Sequence, residues 1–190
     1  NACMLLSLLG APEEKINTIG PGDRFALADI QVDVLQARHR SLFGLRVATG
    51  PLDKDLRPPL RATEYKMDLC FSFTLRIGEI SIFVGSGLGD GLAPPADVLL
   101  VAPYGREADF QILLEGVRPR VVIPNHWDDF FRPLSSALRM MHDPSDWKWP
   151  PLRRIDLNAF ERVVHTHAPQ AQLLIPEVLK QYDVTALLDG

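Results

Sequence analysis

The sequence predicts an α/β domain, a sheet with helices laid against it, and three observations carry that prediction. Residues 98–101 and 121–123 are short unbroken apolar runs, the pattern of strands buried on both faces. Between them, residues 107–116 place Phe110, Leu113 and Leu114 at helical spacing, with Gly116 as the expected stop. Upstream, segments 24–27 with 30–36, and 69–76 with 79–84, alternate or pair as hairpins do. Hairpins followed by strand, helix and strand are the order of an α/β layer.

Taken in order, residues 3–9 read as the end of a helix closed by Gly10 at C′ and Pro12 beyond it. Residues 16–19 read as a short strand, and Gly20-Pro-Gly-Asp23 as a turn. The strand at 30–36 sets Ile30, Val32 and Val34 against Gln31, Asp33 and Leu35, so one face is buried. Residues 41–68, broken by prolines and glycines, form a long irregular excursion, either a lid or binding loop or a packed surface insertion. Phe43, Leu52, Arg57, Arg61 and Tyr65 are its candidates for a pocket wall. In the second hairpin, turning at Ile77-Gly78, Phe71, Phe73 and Leu75 share a face, as do Ile80, Ile82 and Val84, and both faces are expected in the core. Gly85, Gly87 and Gly89 alternate as in a nucleotide-binding loop, but Pro94 and Pro95 follow where that loop needs a helix.

Residues 132–155 read as irregular, with His142 incidental. Asp156 caps a helix to about residue 167 that buries Leu157, Phe160, Val163 and Val164. His165 and His167 lie on that helix roughly 200° apart, so they cannot share a metal. Residues 172–175 make a last strand, and 178–190 a tail to the 1–177 domain.

At 190 residues the chain holds one domain with a real core, or a large fragment of one. Its 46% hydrophobic and 23% charged residues are those of an ordinary globular protein. A net charge of −4 without a basic block argues against nucleic acid or anionic lipid as the main partner. No apolar run approaches the ~20 residues of a membrane span. Cys3 and Cys70 have no ligand-like spacing. The chain begins at Asn1, and its first stretch lacks the basic region and cleavage site of a signal peptide. A cytoplasmic location and a segment upstream of Asn1 are the expectations.

The chemistry centres on Val121-Val-Ile-Pro-Asn-His126. Pro124 lacks a backbone donor and is expected to stop the ladder, which leaves His126 at the carboxyl end of a strand, where α/β sheets bind ligands. A neutral imidazole fixed there suits a metal, with Asp128 or Asp129 to orient it; the alternative is an ordinary loop histidine. Tyr104-Gly105 opens the loop after the strand at 98–101, on the same side. His39 also follows a strand, between Arg38 and Arg40; it lines the site or is a surface histidine whose pKa those charges lower.

The run Ala96 to Pro133, "ADVLLVAPYGREADFQILLEGVRPRVVIPNHWDDFFRP", resembles the final third of a metallo-β-lactamase-superfamily hydrolase. Such proteins end strand, loop and helix in "Pro-(Arg/Lys)-Val-Val-Ile-Pro-x-His", closing on a metal-binding histidine. The resemblance runs from about Ile16 to about Glu177. It implies an αβ/βα sandwich, incomplete at the N-terminus, with 41–68 as an insertion. It further implies His126 and His39 as metal ligands, Asp128 and Tyr104 as catalytic groups, and Ser86, Arg38, Arg40 and Asp129 as site-lining residues. The implied cofactor is zinc or another divalent transition metal, one or two ions. Two departures stand out. Where the family carries a Gly-Asp pair whose carboxylate bridges two metals, this chain has Gly85-Ser86, and a hydroxyl brings no charge to replace it; Asp90 lies four residues further on. The family's "His-x-His-x-Asp-His" is absent, which places it, by expectation, upstream of Asn1.

Two functions follow as expectations. One is a metal-dependent hydrolase, whose metal-bound hydroxide attacks an ester, lactone or phosphodiester. The other is a metal-free binding or interaction domain that keeps the fold. The expected partners are a small-molecule substrate, anionic where Arg38 and Arg40 face it, and either a second copy of the chain or the missing N-terminal segment.

Overall fold

A computed structural model of the chain describes residues 1–37, 49–53, 55–61, 64–85, 93–129, 132–133, 135–142 and 154–189. Its centre is one mixed seven-stranded sheet whose strands follow one another in space as they do in sequence. The strands are β1 (Arg24–Leu27), β2 (Ile30–Ala37), β3 (Cys70–Ile77), β4 (Ile80–Gly85), β5 (Val98–Val101), β6 (Val121–Pro124) and β7 (Gln172–Leu173). β1 to β4 pair antiparallel: β1–β2 and β3–β4 are tight hairpins, in which Ala28 (φ 53°) and Gly78 (φ 57°) take the left-handed turn positions, while β2 and β3 are joined by the long stretch between Ala37 and Cys70. β4 to β7 pair parallel, joined by crossovers. One consequence positions everything that follows. β2, β4, β5 and β6 all run the same way, so the chain leaves all four at one end of the sheet.

Two helices carry the crossovers, α2 (Glu107–Val117) between β5 and β6, and α3 (Leu157–His167) before β7. Both lie on one face of the sheet. Their Phe110, Leu113, Leu114, Val117, Phe160 and Val164 close over Phe83, Leu99, Val101 and Val122 in the main core. The ring of Phe110 meets that of Phe160 edge-on, with centroids 5.3 Å apart. Asp156 caps α3 as expected, its Oδ1 accepting from the Ala159 N–H at 3.0 Å. Gly116 does not end α2. The helix runs on to Val117, and Arg118 takes the left-handed position (φ 50°), donating back to the Leu114 carbonyl. Gly116 answers a different need: a Cβ there would stand 3.3 Å from the Ala93 carbonyl oxygen, a tight contact that the neighbouring backbone would have to relieve by a few tenths of an ångström.

Several other expectations are corrected. Among the described residues, 16–19 pair with no strand; a 3-10 turn at Glu13–Lys15 precedes them and the first described ladder begins at Arg24. In the second hairpin the fully buried positions are Ser72, Thr74, Phe83 and Gly85, whereas Phe71, Phe73, Leu75, Ile80, Ile82 and Val84 are half-buried on the opposite face, where Ile80 and Ile82 pack against a second core cluster with Val98 and Val121. The alternation was right, but the helices cover the other side. The stretch after Pro176 carries α4 (Val184–Asp189), capped by Asp183, whose Oδ1 accepts from Thr185 and Ala186 at 2.9 and 3.3 Å. Its Leu188 is buried against Val98 and Val121, on the face away from α2 and α3.

At the N-terminus, α1 (Ala2–Leu8) ends in a Schellman turn, with Gly10 (φ 90°) bonded to Ser7 and Ala11 to Leu6. The excursion after β2 is closed at its base by a Thr49–Met67 bridge, and the Asn1 side chain donates to the Gly50 and Lys66 carbonyls. Leu52 and Leu56 are buried within it, and Tyr65 is exposed. Among the described residues no helix is long and apolar enough to cross a membrane.

Candidate functional site

Pro124 shapes the end of β6 in a way its sequence position only partly announces. Alternate residues of a parallel strand bond to opposite sides. Val121 and Asn125 donate toward β5, to the carbonyls of Asp97 and Val101 at 3.0 Å each, while Val122 accepts from Leu174 beyond β7. Pro124 falls on the β7 side, and it has no N–H to give there. The ladder with β5 therefore runs through Asn125, and only the ladder with β7 stops. The expected full stop at Pro124 is corrected to a one-sided one.

His126 follows with φ 52°, a left-handed backbone that costs a residue with a Cβ roughly 1–2 kcal/mol. Its side chain is exposed, while its neighbour Trp127 is 7% exposed and faces the interior. Trp127 packs with Ile155 and Leu157, and Tyr104 and Met141 pack against that group. Backbone pairing fixes the same segment. The Trp127 carbonyl accepts from Met141 at 2.9 Å, Asp129 N–H donates to Arg139 at 2.8 Å, and Asp128 bridges Met140. A third segment adds to it, since Ile155 donates to the Met141 carbonyl at 2.9 Å and His142 bridges Arg154. Residues 127–129, 139–142 and 154–155 thus form a small strap beneath His126. That strap corrects the reading of 132–155 as wholly irregular.

Tyr104 comes from the end of β5 and meets His126 across the loop, the two rings edge-to-face with centroids 6.1 Å apart. Asp128 and Asp129, one and two residues past Trp127, are half-buried and belong to the strap. Of the expected site residues, the structure thus brings together His126 and Tyr104, with the two aspartates along the chain. His39, Arg38, Arg40, Ser86 and Asp90 lie outside the described residues, as does Phe43. What is described is where the chain departs toward them: β2 ends at Ala37 and β4 at Gly85, both at the same end of the sheet as Tyr104 and His126. His165 and His167 are elsewhere, facing Glu161 at 3.7 Å and Glu107 at 3.3 Å.

No family model matches the sequence, and no curated protein matches it. Among solved structures, the metallo-β-lactamase fold protein YhfI from Bacillus subtilis aligns over 85% of this chain and 52% of its own, at 7% identity and a TM-score of 0.49. A proposed Zn-dependent hydrolase of the metallo-β-lactamase superfamily from Thermotoga maritima aligns over 84% of this chain and 71% of its own, at 10% identity and a TM-score of 0.43. The chain spans about half the length of the first of these.

A tight zinc site needs three or four protein ligands. Among the described residues no three His, Cys, Asp or Glu side chains come together to hold a metal ion. His126 is a single donor. The described residues therefore do not by themselves fit the group, and what they offer is an exposed imidazole held at the strand ends beside an aromatic wall.

Proposed function

We propose that this chain is part of a metallo-β-lactamase-fold hydrolase acting on a small molecule, with its site across the carboxyl ends of β2, β4, β5 and β6. The observation that carries the reading is His126. An exposed histidine is held in a strained left-handed backbone, on a loop strapped from below, at the end of the sheet where such folds bind ligands. Strain of this kind persists only where the surroundings over-determine it, and the strap supplies that. On this reading His126 would be one ligand of zinc or a similar divalent ion, one or two in number, and the others, His39 among them, would come from outside the described residues. Asp128 and Tyr104 are the polar groups that flank it along the chain and across the loop. An ester, lactone or phosphodiester is the class of bond such a site serves.

A second reading has its own support. Ser86, where the resembled family carries a bridging aspartate, favours a metal-free binding domain, because a hydroxyl brings no negative charge to a metal. Turnover separates the two. Natively purified protein containing this chain is assayed on an activated ester, a lactone and an activated phosphodiester. The hydrolase reading expects turnover of at least one, reduced at least tenfold by His126→Ala with the fold unchanged. No turnover, or turnover indifferent to His126, supports the binding domain.

A further inference from the structure

The turn after β7 carries a side chain that the fold does not account for. Glu177 to Lys180 form a β-turn, closed by the Lys180 N–H, which donates to the Glu177 carbonyl at 3.3 Å. Leu179 stands third in it with φ 60°, the position of a type II turn that glycine or asparagine ordinarily fills. A Cβ is costly there, and glycine would remove the cost. Leu179 is also 98% exposed, so burial offsets neither the backbone strain nor the wetting of its side chain. One exposed leucine is ordinary; one fixed in a glycine conformation is not. The turn is held from both flanks. The Glu177 carboxylate pairs with the Lys180 ammonium, the Glu177 N–H donates to the Tyr182 hydroxyl at 3.0 Å, and Lys180 Nζ lies 5.3 Å from the centre of the Tyr182 ring.

The place of this turn gives the leucine a use. β7 runs parallel to β6, and the Leu174 N–H donates to the Val122 carbonyl, so the chain leaves β7 at the end of the sheet where β6 delivers His126. In the order β5, β6, β7, Tyr104 follows one neighbour of β6 and the turn follows the other. We propose that Leu179, with the partly exposed Val178 beside it, is an apolar contact for the substrate of this site, taking an alkyl or acyl chain whose polar end lies toward His126. This deepens the proposed function and rests on it for its catalytic meaning. The Glu177–Lys180 pair cancels the charge of the turn, which therefore offers a ligand apolar surface and no net charge. Two side chains fall far short of the ~800 Å² per side that a stable protein partner needs, but they match one chain of a small molecule.

The test uses the full protein and two carboxylate probes of equal charge, octanoate below its micelle-forming concentration and acetate. Methyl NMR reads the Leu179 signals, identified by their loss in Leu179→Gly, with the exposed Ile112 of α2 as the control. Octanoate is expected to shift the Leu179 methyls saturably and to leave Ile112 in place, while acetate leaves both. Leu179→Gly relieves the backbone and so keeps the fold; it is expected to bind octanoate about tenfold more weakly. Leu179→Met, which restores apolar bulk, is expected to bind as the wild type does. Leu179 methyls that octanoate moves no more than it moves Ile112, or an affinity unchanged in Leu179→Gly, overturn the proposal. So does a shift that follows protein concentration alone, which assigns the turn to contact between copies. Binding of octanoate needs no turnover, so failure of the hydrolase reading leaves the apolar contact decided on its own. Where turnover is found, Leu179→Gly is expected to lose the preference of the wild type for an octanoyl over an acetyl ester.

Discussion

The two ends of the parallel strands are built from opposite principles. At the amino ends of β4 and β5, Ser81 gives Asp97 Oδ2 two hydrogen bonds, from its N–H at 2.9 Å and its hydroxyl at 2.7 Å. The hydroxyl accepts in turn from the Asp97 N–H at 3.0 Å, and the Asp97 carbonyl takes the N–H groups of Arg120 and Val121 at 2.9 and 3.0 Å. One carboxylate, one hydroxyl and one backbone carbonyl there tie three strands together, with their donors and acceptors matched. At the carboxyl ends, by contrast, the chain holds an imidazole out to solvent on a backbone it would not choose. The same strands thus carry a lock at one end and a presented group at the other. Strain and exposure mark the end where function is to be sought; satisfied polar groups mark the end that holds the fold.

Substitutions can break or sharpen that contrast. The largest effect is expected in the core that both ends share. Leu114→Ala empties space beneath α2 and is expected to cost about 2–5 kcal/mol in denaturant unfolding, loosening both ends together. A loss confined to one end would mean the sheet is not a common support.

The lock comes next. Burial raises the Asp97 carboxyl, but the Ser81 donors and the charge of Arg120 outweigh it and hold the pKa below the ordinary carboxylate value. A carboxylate depressed in the folded state stabilises the fold above its unfolded pKa, and that contribution is lost as pH falls through the folded value. Ser81→Ala is expected to cost about 1–3 kcal/mol at neutral pH. It is also expected to lose less stability than the wild type on acidification through that window. An acid limb as steep in Ser81→Ala as in the wild type would remove the lock from the account. His126→Gly should move stability the other way, by up to about 1 kcal/mol, because glycine occupies a left-handed position without strain. A destabilised glycine variant would show that the His126 side chain supports the fold and is not merely displayed by it.

How far the sequence reached follows the same division. α2, α3, β5 and β6 were readable because their apolar residues are close in sequence and repeat with one period. The hairpins were readable as pairs, yet which face lay inside was not: β3 carries Phe71 and Phe73 on one side and Ser72 and Thr74 on the other, and only the placement of the covering chain decides between them. Residues 16–19 looked like a strand from two isoleucines, but a strand needs a partner, and none of the described residues supplies one. α4 was missed because six residues give too short a period, although Asp183 before an apolar pair was a usable cap signal. At the candidate site, His126 and Tyr104 stand out in the sequence by their places after strands, and the structure sets their rings edge-to-face. The strap was not, because Trp127, Met141 and Ile155 are far apart in sequence and only the fold joins them.

The most direct test of the claim that the carboxyl ends of the strands are the functional end is the metal content of natively purified protein containing this chain, measured for wild type and His126→Ala. About one or two equivalents of zinc or a similar ion in the wild type, falling by at least half in the variant while the fold is kept, is the predicted result. Metal retained in full by His126→Ala, or none bound by either protein, would contradict a metal centre at His126.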